Sequence, residues 1–600
     1  MRPLSIAGLA ALALLFALPY WIIPLIADAG FWQHVFVTIF VYAAMATAWN
    51  IVGGFAGQLS LGHTIFYGIG AYAAVLLNQH FGIIPWFGML AGAAVSAAAG
   101  VLVSWPCLRL RGPFYTLSTI AFLEVVRLLA IHFKDFTGGS AGIPVPMFAT
   151  TATGMEQRIG WAWMLFRERE NTVLIAFGLL VLCIAVATLI RRSRFGYALL
   201  AVREREDAAE AVGVNTTRVK LAAVAVSAAL TSLVGSFHGI YLNFIEPETM
   251  FSLATAIQLA MFALIGGLGT VAGPVAGTLL VVPIAEAARG WLGATANGLH
   301  GLVYGLVLVG IVLTMPQGIV GALKPRFALW AGPAHRPPPA APARDEARAR
   351  PPIGEPILEA RNLTRRFGGL VATNDVSLTL REGEVLGIIG PNGAGKTTLF
   401  NLLSGFLPPN EGSVRVRDAS GQWVTPDAPH GFADAGVGRT FQIVQPFAGL
   451  SVRENIMLGA FHHARSRAEA EAEAERVAAL CGLGHLLDLE ARSLTVGGAK
   501  RLEVARALAM RPRILLLDEV MAGLNPSDVA LAVELVRTIR DSGVSIIAIE
   551  HVMAAIMAIS DRIVVINSGR MIAEGSPEAI AKDRTVIEAY LGEEYVAASA

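Results

Sequence analysis

The sequence predicts a protein of two parts, a polytopic α-helical membrane domain followed by an α/β domain that carries a P-loop. Three observations lead to this prediction. The chain has 600 residues, which is too long for one ordinary domain. Only 15% of its residues are charged, against about 25% in a typical soluble protein, and long apolar runs fill the first 330 residues. A glycine-rich motif of the kind that cradles phosphates stands at residues 390–398.

Charge and cysteine content exclude some classes of function. The formal net charge is +1, so charge gives no reason to expect a nucleic-acid partner. The three cysteines, Cys107, Cys183 and Cys481, are far apart. They form neither the spacing of a metal site nor a disulfide framework.

The first half contains apolar runs long enough to cross a lipid bilayer. Residues 4–26 are longer than the apolar core of a signal peptide and lack a convincing cleavage site, which favours a first membrane span. Further runs predict about ten spans in all, with boundaries near 34–52, 61–78, 84–106, 114–133, 172–190, 219–240, 254–270, 273–290 and 299–316.

The distribution of basic residues predicts the orientation of these spans. With the N-terminus inside, the connections near 78–83, 241–253 and 288–298 fall outside and together hold one basic residue, Arg289. The inside connections then hold Arg109, Arg111, Arg191, Arg192, Arg194, Arg203, Arg205, Arg218, Lys220, Lys324 and Arg326.

Two features of the spans have more than one interpretation. Glycine clusters at 53–57, 266–269 and 273–277 indicate either close helix packing or broken helices that line a pathway. Glu124 and Arg127 lie at i, i+3 spacing within one span, and they form either a functional intramembrane pair or a simple internal ion pair.

A proline-rich segment separates the two halves. Residues 331–352 hold seven prolines among Ala, Arg and Asp, which is typical of a stiff solvated spacer. We therefore assign residues 1–326 to the membrane domain, 327–354 to the linker and 355–600 to the α/β domain.

The motif at residues 390–398 has the context that a P-loop requires. It follows an apolar stretch at 385–389 that predicts a strand, and it opens into an apolar stretch that predicts a helix. Its backbone N–H groups and the helix N-terminus would hold a polyphosphate. Lys396 would reach the β- and γ-phosphates, and the Thr397 hydroxyl would bind Mg²⁺. The motif comprises Gly390, Pro391, Asn392, Gly393, Ala394, Gly395, Lys396, Thr397 and Thr398.

Further along, a buried strand is predicted to end in the carboxylates Asp518 and Glu519, and another ends next to His551. Asp518 would hold Mg²⁺, and Glu519 would polarise the attacking water as a general base. The motifs stand in one order, together with Gln442 and the stretch 494–508, and the stretch 356–595 resembles the ATPases of ATP-binding cassette (ABC) transporters. This resemblance implies that Gln442 ligates Mg²⁺ or orients water, that His551 closes on the γ-phosphate, and that Phe367 stacks on adenine.

The resemblance also identifies a signature motif that contacts the ATP of a partner ATPase: Leu494, Thr495, Val496, Gly497 and Gly498. It departs from the usual Leu-Ser-Gly-Gly-Gln at Thr495, Val496 and Gly498, which leaves the activity of that half-site open. The two glycines after Phe367, the 523–526 stretch and the tail at 569–592 are similar to the LivG-type subgroup.

Residues 195–220 are polar and face the inside in the predicted topology. Val202, Ala208, Ala209 and Val212 share one helical face, which predicts a short amphipathic helix that lies on the bilayer or docks on a cytosolic partner. The segment from Asp207 to Gly213 resembles the Glu-Ala-Ala element of ABC importer permeases, with Asp207 in place of the glutamate. In that family the element forms a coupling helix, here near 197–213, and its matching residues are Asp207, Ala208, Ala209 and Gly213.

Stretches at 57–63, 138–143 and 266–270 extend this resemblance to LivM-type permeases of branched-chain amino acid importers. It implies ATP-driven uptake across the bacterial inner membrane, with ATP and Mg²⁺ and with the ATPase domain in the cytoplasm. It also implies a LivH-like permease, a LivF-like ATPase and an external substrate-binding protein as partners, although a homodimer fits as well.

An importer of urea, short-chain amides or other amino acids fits the same residues. An exporter half-transporter shares the domain order, but about ten short spans argue against it, and an ATP-gated regulatory membrane protein is a further alternative.

Overall fold

The computed structural model describes residues 3–22, 29–292 apart from 109, 111, 152, 153, 167 and 168, short pieces between 305 and 322, and residues 352–591. The predicted span at 299–316 and the predicted linker therefore lie largely outside the described residues. The chain divides into two compact units. The N-terminal unit holds residues 1–203 and 217–334, and the C-terminal unit holds residues 204–216 and 335–600.

The N-terminal unit is built from helices, as its apolar runs predict. The helices before the predicted linker are α1 (Pro3–Ala17), α2 (Ala29–Asn50), α3 (Thr64–Phe81), α4 (Pro85–Cys107), α5 (Pro113–His132), α6 (Lys134–Thr137), α7 (Arg169–Arg192), α8 (Arg194–Glu204), α9 (Glu206–Ala211), α10 (Thr216–Tyr241), α11 (Pro247–Met250), α12 (Leu253–Gly267) and α13 (Gly273–Leu292). Helix α9 is the one among them that belongs wholly to the C-terminal unit. Four short strands pair antiparallel in twos: β1 (Ile143–Pro144) with β4 (Phe244–Ile245), and β2 (Phe148–Thr151) with β3 (Gly154–Gln157).

Among the described residues, six helices are long and apolar enough to cross a membrane. They span residues Gly30–Phe55, Pro85–Cys107, Pro113–His132, Glu170–Arg192, Thr216–Tyr241 and Pro247–Gly267, and two shorter apolar helices lie at Ala10–Trp21 and Gly273–Ala287. The polytopic helical domain is thereby confirmed. The total of about ten spans and their orientation stay predictions.

Helix α2 forms the centre of the N-terminal unit. Most of its side chains are buried, including Phe40, Met45 and Trp49, and it packs against α7, α12 and α13. At its C-terminal end the helix widens into a π-helical turn, Ile51–Phe55, before the chain leaves helical structure.

The glycine clusters lie both at a close helix contact and at interruptions of helices, whereas the lining of a pathway stays a prediction. A Cβ on Gly266 would stand 1.6 Å from the carbonyl oxygen of Gly273, so α12 and α13 touch through their backbones. Helical structure is also interrupted between these two helices and after the π-helical turn. Asn50, the last residue of α2, binds the interruption between α12 and α13: its side chain accepts a hydrogen bond from Gly269 N and donates one to Thr270 O.

The residues after the π-helical turn are fixed by buried polar contacts. Trp49 Nε1 donates to Ser60 O over 2.7 Å. His63 lies with its two ring nitrogens 3.0 Å from Ser60 Oγ and 2.9 Å from Ser227 Oγ. Since Ser227 Oγ donates its own hydrogen to Ala48 O, it accepts a hydrogen bond from His63 Nε2, which leaves His63 Nδ1 to accept a hydrogen bond from Ser60.

Glu124 and Arg127 form the ion pair that the sequence allowed. Arg127 Nε lies 2.9 Å from a Glu124 carboxylate oxygen, and Arg127 Nη1 lies 2.6 Å from Glu248 Oε1. Both glutamates are more than half exposed within the described protein, so this is a peripheral cluster.

The C-terminal unit alternates strands and helices. Its strands are β5 (Pro356–Phe367), β6 (Leu370–Arg381), β7 (Val385–Ile389), β8 (Glu411–Arg417), β9 (Trp423–Val424), β10 (Val437–Arg439), β11 (Ile514–Asp518), β12 (Ser545–Ile549), β13 (Arg562–Asn567) and β14 (Arg570–Gly575). Its helices are α14 (Lys396–Leu403), α15 (Pro429–Asp434), α16 (Val452–Ala460), α17 (Arg467–Leu480), α18 (Val496–Leu508), α19 (Pro526–Asp541), α20 (Met553–Ile559), α21 (Pro577–Ile580) and α22 (Arg584–Leu591).

Two sheets organise these elements and confirm the predicted α/β domain. The larger has the order β10-β11-β12-β7-β13-β14, in which every pair is parallel except the edge pair β13–β14. The smaller is antiparallel, with the order β6-β5-β8-β9. Strands β7, β11 and β12 are buried along their whole length, which explains why they appear in the sequence as continuous apolar runs.

The core between the sheets is the place where shortening a side chain should destabilise the C-terminal unit most. Leu516, on β11, is fully buried, whereas Leu531, on α19, is exposed. We expect Leu516→Ala to destabilise the unit by about 2–5 kcal/mol, because it removes buried methyl groups and leaves a cavity. Denaturant unfolding of the full chain in detergent measures the change, and Leu531→Ala is the matched control. Equal loss from both variants would contradict the assigned core.

Candidate functional site

The candidate nucleotide site lies where four parallel strands end. The P-loop follows β7, the pair Asp518–Glu519 closes β11, His551 comes after β12, and Gln442 comes after β10. Because these strands run parallel, their carboxyl ends meet at one edge of the sheet, where α/β proteins bind ligands.

The P-loop backbone takes conformations that favour glycine. Gly393 and Gly395 have φ angles of 79° and 97°, and a Cβ on Gly395 would lie 2.1 Å from Ala372 O. Gly395 is the N-cap of α14, so the first N–H groups of that helix face the loop. The arrangement suits an anion, since helix N-termini carry a partial positive charge.

Lys396 begins α14 and folds back over the loop. Its ammonium Nζ donates to Gly390 O over 2.6 Å and to Pro391 O over 2.9 Å. Burial lowers the pKa of this ammonium, and the Glu519 carboxylate opposes that shift. The neighbouring Thr397 is exposed at the start of the helix.

Asp518 is the more buried of the two carboxylates. Its backbone N–H donates to Thr440 Oγ1, Oδ2 lies 3.5 Å from Arg439 Nη2, and Oδ1 has no hydrogen-bond partner among the described residues. Burial raises the pKa of this carboxyl to about 6, although Arg439 opposes the rise. A buried carboxylate oxygen without a partner is a suitable ligand for a hard divalent cation.

Glu519 is contacted by two other predicted site residues, the catalytic candidate His551 and the nucleotide- and metal-binding candidate Gln442. His551 Nε2 lies 2.8 Å from Glu519 Oε1, and Gln442 Nε2 donates to Oε2 over 3.0 Å. The structure therefore brings together three residues that are far apart in the chain. Glu519 itself has a φ of 49°, a left-handed backbone conformation that is unfavourable for a residue with a side chain.

Phe367 stands apart from this cluster at the turn between β5 and β6. Its ring is 44% exposed, and the Arg365 guanidinium lies 5.0 Å from the ring centroid. An exposed ring of this kind is available to stack on a base.

The signature residues form the beginning of α18. Thr495 is its N-cap, with Oγ1 accepting a hydrogen bond from Gly498 N over 3.2 Å. Val496 is 61% exposed, whereas Gly498 is buried. The Thr495 hydroxyl proton is not used by this cap, so it remains available as a donor.

The predicted coupling segment near 197–213 is divided between the units: residues 204–213 belong to the C-terminal unit, and residues 197–203, with Val202, belong to the N-terminal unit. The expected helix is divided at Arg205, whose extended backbone separates α8 from α9. Ala208 and Ala209 are fully buried, and α9 packs against α15. Val212 continues the contact in an apolar cluster with Ala433 and Met510.

Two further contacts fix the end of this segment. Gly213 has a φ of 84°, and a Cβ there would lie 2.6 Å from His462 Nδ1, so glycine is required both for conformation and for space. Asn215 Nδ2 lies 3.0 Å from His430 Nε2. Asp207 lies exposed in the first turn of α9.

Sequence reasoning missed the charged residues that surround the site. Arg439 is buried beside Asp518 and lies within about 5 Å of the ring centroids of Phe400, Phe406 and Phe441. Lys500 and Glu550 are also buried. Two signals were available: Lys500 is one of only six lysines in the chain, and Glu550 directly precedes His551.

Comparison with protein families assigns both halves. Residues 32–312 match the model of the permease component of the branched-chain amino acid transport system. Residues 373–522 match the ABC transporter model, and residues 570–596 match that of the branched-chain amino acid ATP-binding cassette transporter.

Individual relatives match the C-terminal half. The chain is 41% identical to the high-affinity branched-chain amino acid transport ATP-binding protein BraF of Pseudomonas aeruginosa over 257 residues, 40% of this chain and 100% of the relative. It is 39% identical to LivG of Escherichia coli over 261 residues, again 40% and 100%. Another relative is the lipopolysaccharide export ATP-binding protein LptB of Escherichia coli, 35% identical over 241 residues, 40% of this chain and 98% of that protein. Among solved structures, a nucleotide-free ATP-binding cassette from an ABC transporter is 30% identical and covers 40% of this chain and 100% of its own, with a TM-score of 0.36.

The match over the whole length of these ATP-binding proteins confirms the resemblance noted in the sequence, and the permease match extends it to the N-terminal half. The chain belongs to the ABC transporter family and joins, in one polypeptide, the permease and ATP-binding components of a branched-chain amino acid transport system.

Proposed function

We propose that this protein hydrolyses ATP at the edge of its larger sheet to drive branched-chain amino acids into the cell across the inner membrane. The observation that carries the proposal is the convergence of Gln442 and His551 on Glu519, at the same edge as the P-loop. The ATPase half alone does not give the direction of transport, because its relatives include proteins named for branched-chain amino acid transport and one named for lipopolysaccharide export. The permease match of residues 32–312 supports import.

The residues of the nucleotide site have distinct roles in the proposed hydrolysis. The P-loop backbone and Lys396 bind the β- and γ-phosphates, and exchange of the carbonyl contacts of Lys396 for phosphate oxygens gives it ionic partners. Asp518, Thr397 and Gln442 would hold Mg²⁺ through the oxygen ligands that it prefers, and the ion would supply positive charge beside the phosphates. Phe367 stacks on the adenine ring.

Glu519 accepts the proton of the attacking water. His551 and Gln442 lie on its two oxygens and hold the carboxylate in one orientation, and His551 is placed to contact the γ-phosphate when the site closes. A base held in this way contributes about 10²- to 10⁴-fold to a rate.

The proposed assembly contains further chains. One P-loop and one signature are present here, and in this family each ATP lies between the P-loop of one ATPase and the signature of another. A LivF-like ATPase, a LivH-like permease and an external binding protein complete the importer in our proposal. The segment from Asp207 to Gly213 acts as the coupling helix, and its alanines provide a small apolar face that fits closely on α15.

Substrate and direction are tested together by transport in vesicles. The copurified complex is placed in vesicles that enclose an ATP-regenerating system, and the binding protein is added outside. These vesicles should accumulate labelled leucine against its gradient. Accumulation of urea or short-chain amides instead would identify the alternative importer. Loss of labelled substrate from the ATPase-exposed side would identify an exporter, and ATP turnover without movement of any solute would identify a regulatory protein.

Glu519→Gln should bind ATP normally, hydrolyse it slowly and trap a closed ATPase dimer, because the amide cannot accept the proton of water. Turnover and ATP affinity of the assembled complex measure this effect. The control Lys396→Ala should instead weaken ATP binding, since it removes the phosphate ligand. Wild-type turnover in Glu519→Gln would remove Glu519 from its proposed role.

Ala209→Asp should uncouple hydrolysis from transport. Ala209 is fully buried, and a carboxylate at that position loses hydration without a partner, so α9 should leave its contact with α15. The ratio of leucine transported to ATP hydrolysed measures coupling. Ala468→Asp makes the same change at an exposed position of α17 and should leave the ratio unchanged. An unchanged ratio in Ala209→Asp would make the segment a surface loop.

Gly498→Gln should raise turnover or tighten ATP at the site that uses this chain's signature. Gly498 lacks the amide of the usual motif, and hydrogen bonds to charged groups contribute about 1.5–3 kcal/mol. A Cβ at Gly498 would lie 3.3 Å from Thr495 Oγ1, so only a small shift is needed. Correspondingly, Glu519→Gln should reduce turnover more than the matching change in the partner ATPase. Equal losses, with no effect of Gly498→Gln, would mean that the altered signature is neutral.

A further inference from the structure

The inward face of α18, the helix that begins with the signature, carries charge where an apolar face would normally pack. Lys500, Glu503 and Arg506 follow one another at spacings of three residues, and all three are less than 10% exposed. Buried charges are unfavourable unless each has partners. Their partners are therefore the place to look for a role.

Lys500 binds the backbone of the turn that carries Glu519. Its Nζ donates to Glu519 O over 2.7 Å and to Ala522 O over 2.6 Å, so one ammonium bridges the beginning and the end of the turn. From the other side, the buried carboxylate of Glu550 accepts a hydrogen bond from Met521 N over 2.8 Å. Burial lowers the pKa of the Lys500 ammonium, and the nearby Glu550, Glu519 and Glu503 carboxylates oppose that shift.

This turn needs external support because its backbone is unfavourable. Glu519 has a φ of 49°, and residues with side chains keep such conformations only where the surroundings impose them. The conformation also sets the direction of the Glu519 side chain towards His551 and Gln442. Loss of the two Lys500 bonds would let the turn relax and the carboxylate move.

The next two charges of α18 hold the segment that follows Gln442. Glu503 Oε1 accepts from Gln445 N and from Arg506 Nη2, and Arg506 Nη1 donates to Gln445 O over 2.8 Å. One helix face thus bonds to two of the three backbone segments whose side chains meet at the Glu519 carboxylate, the Glu519 turn and the segment after Gln442. A helix that served only to fill the core would not need these polar bonds.

We propose that Lys500 is a positioning residue for hydrolysis, which holds the Glu519 turn from the signature helix and so aims the Glu519 carboxylate. The inference rests on the proposed function, in which Glu519 is the base. It assigns to Lys500 no contact with nucleotide. The effect of Lys500 must therefore pass through Glu519, and this dependence makes the proposal testable.

The test uses the copurified full-length complex in lipid nanodiscs and measures kcat and KM for ATP. The relevant quantity is the Glu519-dependent turnover, the difference between wild type and Glu519→Gln. Lys500→Met should lower it by about 10- to 100-fold with little change in KM, since small displacements of a reacting group have effects of that size. Lys500→Arg, which can donate to both carbonyls, should retain most of it, and Lys500→Gln should be intermediate. Lys582→Met is the matched control at an exposed lysine of the same unit.

A double variant separates positioning from a general effect on folding. In the Glu519→Gln background, Lys500→Met should cause no further loss of turnover. A further loss of the same factor would overturn the proposal, as would wild-type kcat in Lys500→Met or a change confined to KM. The series Arg, Gln, Met keeps the test decisive if one variant fails to assemble, because the proposal requires kcat to fall in that order as the side chain loses its ability to donate to both carbonyls. Wild-type turnover in Glu519→Gln would instead reject the proposed function.

Discussion

The parallel pairing of β7, β12 and β11 is the constraint on which the nucleotide site depends. It places the ends of three buried strands side by side, so that residues far apart in the chain meet at one edge. The two adjacent acids then differ for a geometric reason. Asp518 is the last residue of its strand and lies buried beside Arg439, whereas Glu519 begins the turn and points at His551. A shift of β11 by one residue would move both acids out of these environments.

Much of this edge could be predicted from the sequence, because strands buried on both faces produce short continuous apolar runs and the polar residues that end them are conspicuous. The P-loop, the Asp518–Glu519 pair and His551 were all placed correctly at strand ends for this reason. The division of the coupling segment at Arg205 was not predicted, since a helical wheel describes which face is apolar and not where a helix ends. The roles of the individual side chains are a separate matter and stay predictions.

The charged face of α18 shows why another part of the site was not predictable. Charged residues at helical spacing indicate a solvated face, and Lys500, Glu503 and Arg506 have that pattern although all three are buried. Their partners are mostly backbone atoms of Glu519, Ala522 and Gln445, which leave no mark in a sequence. Within the N-terminal unit the same principle applies to Asn50, whose side-chain bonds to Gly269 and Thr270 stabilise interrupted helices. Backbone polar groups away from water require such partners, and at membrane depth irregular structure is tolerated only where they exist.

The seating of α9 in the C-terminal unit has a consequence for how the transporter is made. The relatives BraF and LivG correspond to the ATP-binding half alone, so in those proteins the cassette is a separate product. Here one messenger RNA encodes both the docking segment, α9, and its seat, the surface of α15 that it contacts, so the two are made in equal numbers. Because the docking segment and its seat are connected through one chain, their effective concentration is on the order of millimolar. Dilution of the cell's contents does not lower this effective concentration. The contact between α9 and α15 therefore needs little affinity of its own. Natural selection can act instead on how well the two surfaces fit and on when they engage.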